Sequence, residues 1–277
     1  MPERPRSRHG GGRVRRWLPW TVAVLTAAPL AGLVVEASAD VWRAPALWPQ
    51  RLGTRGLQVA FSGPAGPLAS LRNSLTVALA TTAAALALGW PAARVLGERR
   101  LRHPAPVFLL LALPLVVPPY ATGTGLAEWF LRLGLADTRA GLVLAHLVYA
   151  LPYVVLLLAP AFGSGVAELE EAARTLGAGT ARRLVLVTVP AVTPALAAAA
   201  LLAFLVSWSQ YGTSLAVGGG LPMLPLALVP FVGTDPQVAA ALALLFLAPA
   251  VAALALVART ASHPVGVSRS RQRRGPR

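Results

Sequence analysis

The sequence predicts an all-α, polytopic integral membrane protein with six transmembrane helices, and three observations carry that expectation. Of 277 residues, 56% are hydrophobic and 13% charged, with mean hydropathy +0.62, outside the usual range of soluble domains. The apolar runs extend for about 20 residues, the length a helix needs to cross about 30 Å of hydrocarbon, and they lack the alternation of barrel strands. The charge sits mostly at the ends of these runs, although the formal net charge of +15 would in a soluble chain suggest nucleic acid or an acidic partner.

Residues 1–16 carry Arg4, Arg6, Arg8, Arg13, Arg15 and Arg16 among Pro and Gly, a composition expected to form a disordered basic cytoplasmic arm. Residues 17–35 form the first transmembrane helix, too long and without a convincing small-residue cleavage site for a signal peptide. Residues 36–69 read as an external loop with interfacial Trp42 and Trp48 and too little apolar periodicity for a domain. A core of five further helices then occupies 70–258.

The second span, from about Ser70 to Leu96, ends in a basic stretch with Arg94, Arg99, Arg100 and Arg102, which faces it toward the cytoplasm. In the third, Pro106 to about Trp129, Pro114, Pro118 and Pro119 interrupt the hydrogen-bond ladder. Such breaks are tolerated where neighbouring helices or a cavity satisfy the freed carbonyls, so this helix is expected to face a pathway. The fourth span covers Ala140 to Phe162, the fifth about Pro190 to Leu215 and the sixth about Pro236 to Ala258. The Pro- and Gly-punctuated stretch before the sixth reads as a re-entrant or surface-lying piece. Residues 259–277 form a second basic cytoplasmic tail. With both termini inside, nineteen Arg lie on the cytoplasmic side and six outside, as the positive-inside rule requires.

This topology puts the polar stretch Glu168 to Pro190 in the cytoplasm, as a helix–turn–helix between the fourth and fifth spans. Glu168, Glu170 and Glu171 are read in the first turns of a short helix, where carboxylates suit the positive end of the dipole. Gly177 supplies a turn at which positive φ is tolerated. Ala172, Ala173 and Leu176 make a small apolar face suited to a groove.

Glu171-Ala172-Ala173, then three residues, Gly177, then nine residues, and Val187-Thr188-Val189-Pro190 form a long spaced pattern. It resembles the EAA loop, here 163–190, of binding-protein-dependent inner-membrane permeases, the MetI-like membrane subunits of type I ABC importers. Asn73-Ser74-Leu75 with Gly89-Trp90-Pro91-Ala92, Leu113-Pro114 with Pro118-Pro119, and SWSQYGTSLAVGGG extend the likeness across roughly Ser70 to Ala258. The first helix would then be an extra amino-terminal span. The resemblance implies ATP-binding cassette ATPase subunits, a second permease subunit, identical or homologous, and an extracytoplasmic solute-binding protein as partners. It implies that Glu170, Glu171, Ala172, Ala173, Leu176, Gly177 and Pro190 serve ATPase coupling. It also implies that closure of the ATPase dimer moves the fourth and fifth spans as levers. Within the family the pattern resembles polyamine, ferric-ion and thiamine-like permeases.

Polar residues at membrane depth tend to face a bundle interior or a water-filled route. Asn73, Ser74, Pro118, Pro119, Tyr120, Ser209, Gln210 and Tyr211 are accordingly the pathway-lining candidates, with inter-helix hydrogen bonding as the structural alternative. His146, the ionisable side chain inside a span, is by default a functional candidate, with pairing to a backbone carbonyl or a tyrosine as the favoured structural reading. An intramembrane hydrolase using Ser164 and His146 is disfavoured, because about five helical turns, roughly 27 Å, separate them. No inward-facing carboxylate pair, metal-ligand cluster or phosphate-cradling loop appears, and the absence of Cys removes thiolate chemistry. The chain is therefore expected to be no enzyme, with neither cofactor nor metal. A channel-like or assembly subunit without an ATPase is the other alternative. The basic arms lack interleaved aromatics and are expected to contact membrane lipid, not nucleic acid.

Overall fold

The computed structural model describes residues 11–62, 66–98 and 101–261. Most of the two basic arms, residues 1–10 and 262–277, and also Arg99 and Arg100, lie outside the described residues. Among the described residues the helices are α1 Gly11–Ala37, α2 Arg55–Ser62, α3 Pro67–Gly97, α4 Pro104–Val116, α5 Pro119–Arg132 and α6 Arg139–Leu158, then α7 Ser164–Thr175, α8 Thr180–Arg183, α9 Val189–Trp208, α10 Gly212–Val217, α11 Leu224–Val232 and α12 Pro236–Ala261. Five helical segments are long and apolar enough to cross a membrane, or six if the bent pair α4 and α5 counts as one span. Large apolar side chains such as Leu25, Leu110, Val116 and Leu256 stand exposed; surfaces of this kind suit a lipid solvent.

The boundaries differ from the sequence expectation in instructive places. α1 begins at Gly11, inside the stretch 1–16 expected to be disordered. The expected loop 36–69 contains α2 and a two-stranded antiparallel ribbon, β1 Ala39–Val41 with β2 Arg51–Leu52. These elements escape notice because they are short: α2 has 8 residues and the two strands 3 and 2, far below the run of about 20 that marks a span.

By contacts the chain divides into two units, Met1–Leu68 with Ala227–Phe246, and Ala69–Leu226 with Leu247–Arg277. In the first, Ala37, Ala60, Val238, Ala241 and Leu242 form a core against which Leu33, Leu57 and Phe231 pack. The Arg55 guanidinium donates to both carboxylate oxygens of Asp235, at 2.7 and 2.8 Å, and Asp235 accepts the Val238 N–H at 3.3 Å to cap α12. The hydrogen bond from Arg55, ahead of the opposing effect of burial, holds the Asp235 carboxyl below its ordinary range, and it raises Arg55 in turn. A carboxyl depressed in the folded state stabilises above its unfolded pKa of about 4 and loses that contribution as pH falls through the folded value. With Arg55 partly exposed, the pair contributes no more than about 1 kcal/mol. Arg55→Leu is therefore expected to speed amide exchange at the start of α12 at neutral pH. That difference from the native chain should shrink as the pH drops below about 4.

In the second unit, α6 runs antiparallel to α9, since His146 near the start of α6 meets Ser207 near the end of α9. Ala85, Ala93, Val154, Val155, Leu158, Phe162, Val192 and Ala203 form the core of this unit. Trp90 meets Phe162 edge-on at 5.0 Å.

Two spans are broken where proline dictates. α4 and α5 meet at 97°, because Pro119 pushes its predecessor into extended backbone; Pro118 has φ −56°, ψ 134°. Ahead of Pro190, Leu184–Thr188 forms a π-helical turn in which the Val189 N–H reaches back to the Leu184 carbonyl. Pro190 has no N–H to continue the ladder, and the wider turn absorbs the interruption.

Candidate functional site

The polar segment between α6 and α9 is built as a short helix, a tight turn and a return. α7 begins at Ser164 behind Gly163, so Glu168, Glu170 and Glu171 lie in its second turn and not, as the sequence reading had it, at the dipole end. Gly177 closes the turn with φ +83°, the left-handed conformation that L side chains rarely adopt. Its N–H donates to the Arg174 carbonyl at 3.0 Å, and the Ala178 N–H donates to the Ala173 carbonyl at 3.0 Å, a helix C-terminal motif.

The side chains of this segment divide by face. Leu176 is 87% exposed and Leu169 53%; Ala172 is exposed and Ala173 half-buried. Glu171 accepts from Arg174 at 2.7 Å in the open, and Pro190 is exposed. Glu170 instead turns inward, accepting from Arg94 Nη2 at 2.5 Å through one oxygen and from the buried Thr188 hydroxyl through the other. Arg94 Nε also donates to Glu98 at 2.6 Å. Two carboxylates therefore converge where the sequence showed no inward pair, and a single guanidinium engages both.

A second locus lies where the breaks in the α4–α5 and α9–α10 paths meet. Gly212, first residue of α10, approaches Tyr120 so closely that a Cβ there would sit 2.8 Å from the Tyr120 backbone nitrogen. Tyr149 of α6 shares its hydroxyl between Thr122 Oγ1 at 2.6 Å and the Val117 carbonyl at 3.3 Å, supplying a donor at the break. Pro118, Pro119, Tyr120, Ser209 and Tyr211 are exposed beside these breaks. Gln210 is buried and accepts from Thr213 at 2.7 Å.

Asn73 and Ser74 do not join that locus. Asn73 donates to the Pro222 carbonyl at 3.0 Å and accepts from Arg139 at 2.9 Å, and Ser74 Oγ accepts the Leu224 N–H at 2.9 Å. Both serve to fasten 222–224 to α3.

His146 is fully buried and pairs with two serines, Ser207 Oγ at 2.9 Å from Nδ1 and Ser214 Oγ at 3.1 Å from Nε2, in place of the expected carbonyl or tyrosine. Ser214 spends its own proton on the Gln210 carbonyl at 2.6 Å, so it accepts from Nε2–H, and Ser207 donates to Nδ1. His146 thus bridges α6 to both sides of the α9–α10 break. His146→Leu is expected to lower stability by about 2 kcal/mol, from two interhelical bonds and an orphaned serine hydroxyl. Thermal unfolding in detergent micelles measures it.

A scan against models of protein families matches none. The chain is 35% identical over 213 residues to the molybdenum transport system permease protein ModB of Mycobacterium bovis, covering 71% of this chain and 80% of that protein. It is 36% identical over 168 residues to the ModB protein of Azotobacter vinelandii, covering 56% and 74%. Among solved structures, a bacterial ABC transporter involved in the import of the acidic polysaccharide alginate superposes with a TM-score of 0.69 at 20% identity, covering 94% of this chain and 99% of that chain. At that identity the likeness shows the fold.

Proposed function

The chain belongs to the binding-protein-dependent, MetI-like ABC transporter permeases, and from that premise we propose that α7 and its glycine turn dock into the ATPase subunit of an importer. The permease subunit is itself not an enzyme; ATP is hydrolysed by a separate subunit. The observation that carries the docking role is the exposed tip. Leu176, 87% exposed, stands at a turn locked by positive φ at Gly177, with Ala172, Ala173 and Glu171 beside it. A protruding apolar side chain on a fixed turn suits a protein groove.

In this reading both termini and the α7 turn face the cytoplasm of a bacterial inner membrane, as the arginine distribution favours. The chain pairs with a second permease subunit, two ATPases, an external binding protein and membrane lipid. Pro118, Pro119, Tyr120, Ser209 and Tyr211 line the route for cargo. Asn73, Ser74 and Gln210 hold its walls through the bonds described above. For the cargo we favour a molybdate-type oxyanion over the polyamine, ferric-ion or thiamine-like classes, on the strength of the two relatives named for molybdenum.

Copurification of the tagged permease with its ATPase, before and after Leu176→Asp, tests the docking. Retained association of that variant would sink it. Uptake of labelled molybdate into proteoliposomes, competed by tungstate but not spermidine or ferric ion, tests the cargo.

A further inference from the structure

We infer that Arg94 is a positioning residue that locks α3 to the coupling segment, so that α3 moves with α7 when the ATPase closes; the inference rests on the docking role proposed above. Three observations carry it.

First, apolar packing holds α7 only lightly. Val166 in its first turn meets the core of this unit, but no residue of α7 is fully buried, and a cavity of about 1320 Å³, walled by Phe108, Leu156 and Phe162 among others, opens beside it. A helix so lightly packed is mobile along the rest of its length unless other contacts fix it.

Second, the charged contact is well made. Arg94 lies between Glu98 and Glu170 at 2.6 and 2.5 Å, and the two carboxylates are only 16% exposed. Removing the shared cation from a shielded pair leaves two carboxylates opposed, which is far costlier than losing a surface ion pair.

Third, the second oxygen of Glu170 takes the hydroxyl of Thr188, the last residue of the π turn. One side chain of α7 therefore ties α3 to the root of α9. Glu170 and Glu171 are neighbours about 100° apart on the helix. Glu171 faces out, while Glu170 faces in. In the family pattern quoted earlier the acidic position is Glu171, so the inward role of Glu170 belongs to a different interaction.

The test uses the assembled transporter in nanodiscs. Because the chain has no cysteine, spin labels at Leu88→Cys on α3 and Leu169→Cys on α7, both exposed, report one distance when a single permease copy per transporter carries them and the partner subunits are made cysteine-free. Spectra are recorded without nucleotide and with ATP and vanadate. The expected result is one distance in both states for the native chain, and a shifted, broadened distribution with nucleotide for Arg94→Gln. The swap of Arg94→Glu with Glu170→Arg should restore the native response, which a merely structural defect would not. Should Arg94→Gln fail to fold, Thr188→Val, nearly isosteric, is expected to broaden the same distribution. A native distance that changes with nucleotide, or variants indistinguishable from native, would overturn the inference. Loss of the ATPase from the Arg94→Gln variant alone would also overturn it, by assigning Arg94 to docking. Failure of the native permease to hold any ATPase would fell the docking reading and this inference with it, a distinct outcome.

Discussion

Gly177→Val is expected to strip the ATPase from the permease while leaving membrane insertion intact. At φ +83° a β-branched side chain is a backbone outlier, and holding an L residue there costs about 1–3 kcal/mol. Space is not the obstacle, since nothing lies within 4 Å of where a Cβ would stand. The strain is conformational. The turn relieves it by opening the bonds from Gly177 and Ala178 back to α7, which re-aims Leu176. Each kcal/mol lost from docking weakens it about fivefold, so affinity should fall by about 5- to 150-fold. Titration of the purified ATPase against permease in nanodiscs measures it. Gly177→Asn should be much milder, because asparagine visits this conformation readily.

Gly212→Val should show the opposite pattern, with the ATPase bound and cargo stopped. Here the obstacle is steric. A Cβ would meet the Tyr120 nitrogen at 2.8 Å and its Cα at 3.1 Å, backbone atoms with no rotamer to swing away. Such overpacking costs about 1–3 kcal/mol, and relief requires α10 to withdraw from α5, spreading the junction of the two breaks. Uptake into proteoliposomes should fall at least about tenfold, with ATPase copurification unchanged. Loss of both together would mean that the two loci are not separable.

Much of this was legible along the chain. Long apolar runs located the spanning helices, the proline cluster at 114–119 located the bent pair, and Gly177 was expected to take positive φ. What escaped was pairing across distance. Nothing near Glu170 in sequence points to Arg94, 76 residues earlier, and a glutamate in a polar stretch reads as solvated. His146 drew notice as an ionisable group in a span, but its serine partners lie 61 and 68 residues away. Asn73 and Ser74 read as pathway polarity because a side chain at membrane depth looks the same whether it faces water or fastens a neighbouring segment. α2 and the ribbon were missed because elements of 8, 3 and 2 residues do not stand out beside runs long enough to span a membrane. The turn of Leu184–Thr188 was invisible for another reason: four apolar residues in succession, LVLV, carry no periodicity that an extra residue could shift.

That turn gives the spacing of the signature an angular meaning. A π turn holds one residue more than an α turn, so it advances the phase of everything before Leu184 by about 100° relative to α9. The nine residues between Gly177 and Val187 act as a dial as well as a ruler. Their number sets the azimuth at which the exposed tip of α7 leaves the membrane helix, and one residue more or fewer would aim Leu176 at a different quarter of the compass.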